Sequence, residues 1–297
     1  VLSDMIKNPK FDSKELEKER KVIFEEIKMW RDNPRMHVLE KIPELLYEKP
    51  LGIPLIGTYE TMNSIDRKKI TEKFKQIYQP NNIVLCIVGD TDFEKVLEFA
   101  EKNFNNKKGK VPKFKIKLKN EIKIEKRKGI DQANLIFAYH VPLEDDKKSY
   151  AAQVLSTLMA EGLSSRLFSE IREKRNLAYS IKGDSDIDRD FAYNMVYIGT
   201  TKENVEKVKK LILEEFEKVS KNLDEKELNQ VKEQIIGNHQ ISMEDSQNQM
   251  VNLLHHEING NAKKFYDLEK NISSVKLEDV KNLAKIKKYS FFALVPE

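Results

Sequence analysis

The stretch Lys14-Glu-Leu-Glu-Lys-Glu-Arg-Lys-Val-Ile-Phe-Glu-Glu-Ile-Lys-Met-Trp30 reads as a helix. Asp12 stands where an N-cap belongs, and Glu15 follows three residues later in capping-box position. With Leu16 set at zero and 100° per residue, Ile23, Ile27 and Trp30 fall between roughly 320° and 20°. Val22 and Met29 fall near roughly 220–240°, and Glu19 and Glu26 lie between the two apolar groups at about 300° and 280°. Lys18, Lys21, Glu25 and Lys28 occupy the opposite face. Two carboxylates two turns apart are therefore expected inside the apolar face. An ionised carboxylate is costly to bury unless a cation or several donors compensate it. Two readings stand at this point: ion pairs with Arg or Lys of a neighbouring helix, or a metal ion held against this face.

The chain has 297 residues, enough for two domains with cores of their own. Its 53 Lys plus Arg face 49 Asp plus Glu, and the two signs alternate along the chain, so the composition argues against a nucleic-acid partner. The lone cysteine, Cys86, lies in the apolar run Ile83-Val-Leu-Cys-Ile-Val88 and reads as a small buried hydrophobe. One cysteine allows no disulfide within the chain, which suits a reducing, cytoplasmic compartment. The sequence contains no 18-residue apolar run, so no membrane span is expected, and no signal peptide is recognisable.

After the first helix the pattern predicts a helix over 36–47, a turn-rich loop over 49–54, a helix over 67–78, a strand over 82–89 and a helix over 93–104. The Lys-rich run 105–119 reads as a boundary, giving a first domain over 1–107, a linker over 108–119 and a second domain over 120–297. In that second part, strands are expected over 121–127, 133–141, 179–186, 192–200 and 289–295. Helices are expected over 149–159, from Gly162 to about Lys174, and over 205–222, 225–239, 250–259 and 277–285. The expected class is α+β, with helices packed on a mixed or antiparallel sheet in each of two homologous domains.

An internal repeat supports that division. Asp12-Ser-Lys-Glu-Leu16 aligns with Asp224-Glu-Lys-Glu-Leu228, Ile23 with Ile235, Ser64-Ile65 with Ser274-Val275, and the run 82–89 with 289–295. Equal repeats imply roughly 90 further residues before Val1, so the first domain is expected to be truncated. Glu19 and Glu26 align with Val231 and Asn238. The second copy does without the acids, which favours a functional role for them in the first.

Further along, Glu19-Arg-Lys-Val-Ile-Phe-Glu-Glu26-Ile, Pro50-Leu-Gly, Ile56-Gly-Thr, Tyr78-Gln-Pro-Asn-Asn-Ile-Val and Val88-Gly-Asp follow one another. Ser164-Ser-Arg-Leu-Phe-Ser-Glu-Ile-Arg-Glu-Lys-Arg-Asn-Leu-Ala-Tyr179-Ser comes after them. Taken in this order they resemble the zinc peptidases of the pitrilysin, insulinase and mitochondrial-processing-peptidase group, in its bacterial two-domain branch. The resemblance implies a zinc-dependent endopeptidase that cuts peptides or unfolded segments in an enclosed chamber, often as a homodimer or with a partner subunit. It implies Glu26 as a zinc ligand, Glu19 as the accessory catalytic carboxylate, and Arg172 with Tyr179 as the pair that binds substrate and transition state from the second domain. The group's His-x-x-Glu-His motif does not occur here: the histidines are His37, His140, His239, His255 and His256. On this reading the chain carries part of a site and is inactive alone. The competing reading is a non-catalytic subunit of the same fold that binds peptide or supports a catalytic partner. Gly162-Leu-Ser-Ser-Arg166 lacks the repeated glycines of a phosphate loop and reads as a helix start.

Overall fold

The computed structural model describes residues 1–104 and 108–297. All regular strands among these residues lie in the second half: β1 (Ile122–Arg127), β2 (Ala133–His140), β3 (Ala178–Ile187), β4 (Ala192–Thr200) and β5 (Ser290–Pro296). They form one mixed sheet in the order β1-β5-β2-β4-β3, with β1 parallel to β5 and the other neighbours antiparallel. The first half supplies helices α1 (Leu2–Lys7), α2 (Ser13–Asp32), α3 (Pro34–Leu46), α4 (Tyr59–Ser64), α5 (Arg67–Ile77) and α6 (Phe93–Asn103). The second half supplies α7 (Ser149–Ala160), α8 (Val205–Asn222), α9 (Glu225–Ser242), α10 (Ser246–Ile258), α11 (Leu268–Ser273) and α12 (Leu277–Leu283). Helices packed on a mixed sheet are the class the sequence leads one to expect.

The two central strands explain the layering. β2 reads Ala-Asn-Leu-Ile-Phe-Ala-Tyr-His and is buried along all but its last residue, and β5 is buried along all but its last as well. Such strands need cover on both faces. On one face Leu135, Phe137, Tyr139, Phe291, Ala293 and Val295 pack under α7, α8, α9 and α12. Gly183 lets β3 pass close to α7, where a Cβ would stand 2.9 Å from that of Ala160. On the other face Ile136, Ala138, Phe292 and Leu294 meet Val38, Ile42, Leu45, Leu46 and Tyr47. So α3, from the first half of the chain, roofs the sheet of the second. His37 sits in the same layer with its Nε2 3.1 Å from a Glu125 carboxylate oxygen on β1.

One expected element is absent. Residues 83–88 have no strand assignment, and Val84, Leu85 and Ile87 are 44–48 % exposed. A strand is defined by its ladder, and no other strand among the described residues pairs with this run. The helix expected from Gly162 also differs: it opens as an α-turn and then widens into a π-helical segment, Phe168–Glu173.

Two outcomes follow. Ile42→Ala should cost about 2–4 kcal/mol in urea unfolding of the sheet domain, because the deleted methyls leave a hole against Phe292 and Leu294. Burial lowers the affinity of His37 for protons, outweighing the bond from Glu125, while Arg127 and Lys41 also face it. The folded state then binds fewer protons than the unfolded state, so stability falls as pH drops below about 6.5. His37→Leu should flatten that part of the pH profile; an unchanged slope would remove His37 as its cause.

Candidate functional site

Asp12 caps α2, its carboxylate accepting from the N–H groups of Lys14 (2.8 Å) and Glu15 (3.2 Å). The side of α2 turned inward carries Leu16, Arg20, Ile23, Phe24, Ile27 and Trp30, all half-buried. Arg20 is the clamp: its guanidinium donates to the carbonyls of Met62 and, at 2.7 Å, Ile65, at the end of α4. The Phe24 ring packs on Tyr59 with centroids 5.1 Å apart.

Glu19 and Glu26 are exposed, a correction to the expectation that they lie inside the apolar face. The physical reason is that α4 and α3 cover only the Leu16–Ile27 side, so Val22 and Met29, 51 % and 62 % exposed, are uncovered together with the acids between them. The ion pairs of α2 among the described residues are Lys18–Glu15 and Arg20–Glu17, and neither includes Glu19 or Glu26. Both carboxylates are thus accessible on one face of one helix. They do not complete a zinc site: no group of three or more His, Cys, Asp or Glu among the described residues could hold a metal ion. The histidines stand elsewhere. His37 bonds Glu125, His140 bonds the Lys119 carbonyl at 3.0 Å, and the His239 ring packs on Phe265. His255 meets Asp188 at 3.2 Å. Beside it, His256 is partly buried in the wall of a cavity of about 360 Å³ with Glu144, Asp186 and Tyr150.

The structure brings Arg172 and Tyr179 together. Arg172 lies in the π-helical turn, and its guanidinium carbon stands 4.9 Å from the ring centre of Phe168 and 5.3 Å from that of Tyr179. The turn is wide by one residue: the N–H of Lys174 reaches back five residues to the Ser169 carbonyl at 3.0 Å, and past its end the N–H of Leu177 closes on the Ile171 carbonyl at 2.9 Å. Asn176, at φ 51°, takes the left-handed position that ends it, a conformation Asn adopts at low cost. Tyr179 then sits on a β-bulge. Ala178 pairs with Thr200 and Ser180 with Gly199, so Tyr179 has no ladder partner of its own and is 75 % exposed. One extra residue in a helix and one in a strand aim the two side chains at each other. Such one-residue irregularities occur often at functional sites.

Residues not singled out from sequence hold the turn in place. Glu170, buried, accepts from Lys174 at 3.0 Å and from Arg175, with Lys218 of α8 at 3.8 Å. The bond from Lys174 leads the effects that hold its carboxyl below the usual range, against the push of burial. Arg166 forks onto Glu227 of α9, Nε to Oε1 at 2.7 Å and Nη2 to Oε2 at 2.5 Å, and lies 3.8 Å from buried Glu215 of α8. Lys218 closes the network on Glu215 at 2.5 Å.

Comparison with known proteins agrees with this architecture. The family model "Peptidase M16 inactive domain" matches residues 64–235, and "Insulinase (Peptidase family M16)" matches residues 1–59. A Bacillus subtilis protein described as the uncharacterized zinc protease YmxG is 28 % identical over 96 % of this chain, which spans 71 % of that relative. An uncharacterized zinc protease of Rickettsia felis is 29 % identical over 80 % of this chain, which spans 58 % of its length. A protease from Helicobacter pylori superposes with TM-score 0.85 at 22 % identity, covering 96 % of this chain and 72 % of that one. A chain of complex III2 from Candida albicans superposes with TM-score 0.87 at 17 % identity, covering 99 % and 73 %. These last two likenesses speak to the fold. The chain belongs to the M16 peptidase family.

Arg166→Ala should destabilise the second half by about 1–3 kcal/mol, because it removes the fork on Glu227 and leaves buried Glu215 with Lys218 alone. Arg166→Lys should recover only part of the loss, since a point charge cannot reproduce the fork on Glu227. Thermal unfolding of the two variants side by side checks this.

Proposed function

We propose that this chain is the part of a zinc endopeptidase that supplies one carboxylate ligand and the opposing substrate wall. The observation that supports this most is the juxtaposition of Arg172 and Tyr179 on a π-turn and a bulge. When bound, zinc would polarise a peptide carbonyl and lower the pKa of a water. The residues of this chain do the rest of the work assigned to it. Glu26 would offer its carboxylate to the metal, and Glu19, two turns earlier on the same face, would orient the ligand shell and balance its charge. The remaining ligands would come from outside this chain. Arg172, held between two rings, would bind a peptide carbonyl oxygen, and the exposed Tyr179 hydroxyl would donate to the developing oxyanion. An extended peptide would lie along β3, the edge strand that begins at these residues. A homodimer or a partner subunit, and a cytoplasmic location, belong to the same proposal; no helix among the described residues is long and apolar enough to cross a membrane.

A second reading is a non-catalytic, peptide-binding subunit of the same fold, favoured by the description of the matched family model as an inactive domain. Both are tested in the protein extended to the length of its relatives. Glu26→Gln should abolish stoichiometric zinc and peptide hydrolysis. Arg172→Ala and Tyr179→Phe should lower kcat roughly 10²-fold with zinc content unchanged. Full retention of zinc and activity in Glu26→Gln would refute the ligand assignment. A protein that binds peptide through Arg172 but neither holds zinc nor cleaves would establish the second reading.

A further inference from the structure

α2 buries no residue, yet on the reading above it carries Glu19 and Glu26. Beyond the Arg20 clamp and the Phe24–Tyr59 contact on α4, its direction relative to the sheet is set at its C-terminal end. At the C-terminal end a single residue, Asn33, separates it from α3. The Asn33 N–H closes α2 on the Met29 carbonyl at 3.1 Å, and the Asn33 side chain opens α3 by accepting from Arg35 and Met36 at 3.1 and 3.2 Å. Pro34 occupies the first turn of α3 with its φ already fixed. α3 itself is pinned to the sheet by His37, Val38, Ile42, Leu45 and Leu46.

A second hold comes from the edge strand β1. Arg127, at the end of β1, donates from Nη1 to the carbonyl of Arg31 at 2.6 Å and from Nη2 to Glu125 at 2.7 Å. The other Glu125 oxygen stands 3.1 Å from His37 Nε2. Arg31 lies in the last turn of α2, where carbonyls have no partner within the helix and a cation is favoured by the helix dipole. The side chains of Arg127 and His37 are 19 % and 10 % exposed and their bonds to Glu125 are part-buried, while the Arg31 carbonyl that Arg127 grips lies at the surface. The path from the Arg31 carbonyl through Arg127 and Glu125 to His37 therefore ties the end of α2, the edge strand and the first turn of α3 into one ring.

We propose that Arg127, oriented by Glu125 and His37, is a positioning residue for the carboxylate helix: it fixes the direction in which α2 leaves the sheet and hence where Glu26 stands. The structural half of this inference is independent of the proposed function, and the functional half rests on Glu26 as a ligand.

The test is Arg127→Ala beside Arg127→Lys and Glu125→Gln, the last keeping the side-chain shape should Arg127→Ala fold poorly. In the 297-residue chain, hydrogen exchange is read over residues 26–32 of α2 and over β2 as the internal reference. Arg127→Ala and Glu125→Gln should speed exchange in that last stretch of α2 by roughly tenfold and leave β2 unchanged, with Arg127→Lys intermediate. Unchanged exchange in α2 overturns the proposal outright. In the protein extended to the length of its relatives, Arg127→Ala should weaken zinc affinity several-fold and lower kcat more than it changes KM. Faster exchange in α2 with zinc binding intact in Arg127→Ala but lost in Glu26→Gln would overturn the functional half. Faster exchange with zinc binding intact in both variants would uphold the lock and refute Glu26 as the ligand.

Discussion

The structure depends first on the contact between α3 and the face of the β-sheet that α7, α8, α9 and α12 leave uncovered. β2 and β5 are apolar on both faces, so a sheet covered only by α7, α8, α9 and α12 would leave Ile136, Ala138, Phe292 and Leu294 in water. Fully burying one large aliphatic side chain contributes about 1.5–3 kcal/mol, so the layer under α3 amounts to a large share of the stability of any domain this size. That cover comes from a segment, 34–46, far earlier in the chain than the strands it protects, 133–140 and 290–296, and it fixes what is attached to it. α2 hangs from α3 through one residue. With no core of its own, it takes its placement from the core under α3, the Arg20 clamp on α4 and the Arg127 bond at its end.

The wall opposite is built differently. Arg172 and Tyr179 are presented by two local departures from regular geometry, and such departures persist only where the surroundings over-determine them. The network of Arg166, Glu170, Glu215, Lys218 and Glu227 is that surrounding. It pins the π-turn to α8 and α9 with charge-assisted bonds, while Ile171 and Phe168 are buried beneath. The half-buried Arg172 then owes its position to a network centred on two buried carboxylates, Glu170 and Glu215.

Much of this was legible in the sequence. The bounds of β4 and α8 follow directly from periodicity, and the aspartates at 12 and 224 mark helix starts because their carboxylates satisfy free N–H groups. What was not legible is instructive. The apolar run at 83–88 has strand composition, yet composition cannot supply a ladder partner. Neither the π-turn nor the bulge leaves a mark, since each is one residue of register decided by tertiary contacts. The helical-wheel argument overestimated the burial of Glu19 and Glu26 because a wheel gives angles and not neighbours. Applied to 205–222, the same wheel finds Glu215 on the stripe of Val208, Leu211, Ile212 and Val219, and there the acid is buried.

The relation between α3 and α10 explains why the first half has so little core. Each of these helices begins at the same distance along the chain from a capping aspartate, Asp12 or Asp224. α3 crosses to the sheet of the later half. α10 turns Leu253 and Leu254 toward Val84, Leu85, Ile87 and the apolar side of α6, lining a groove of about 540 Å³, with the Cys86 thiol 3.6 Å from the Met250 carbonyl. The two crossings differ in kind: under α3 the side chains are fully buried, whereas the side chains facing α10 remain nearly half exposed around an open groove. The tie between the helix that bears the carboxylates and the sheet therefore runs through α3, where apolar area is removed from water.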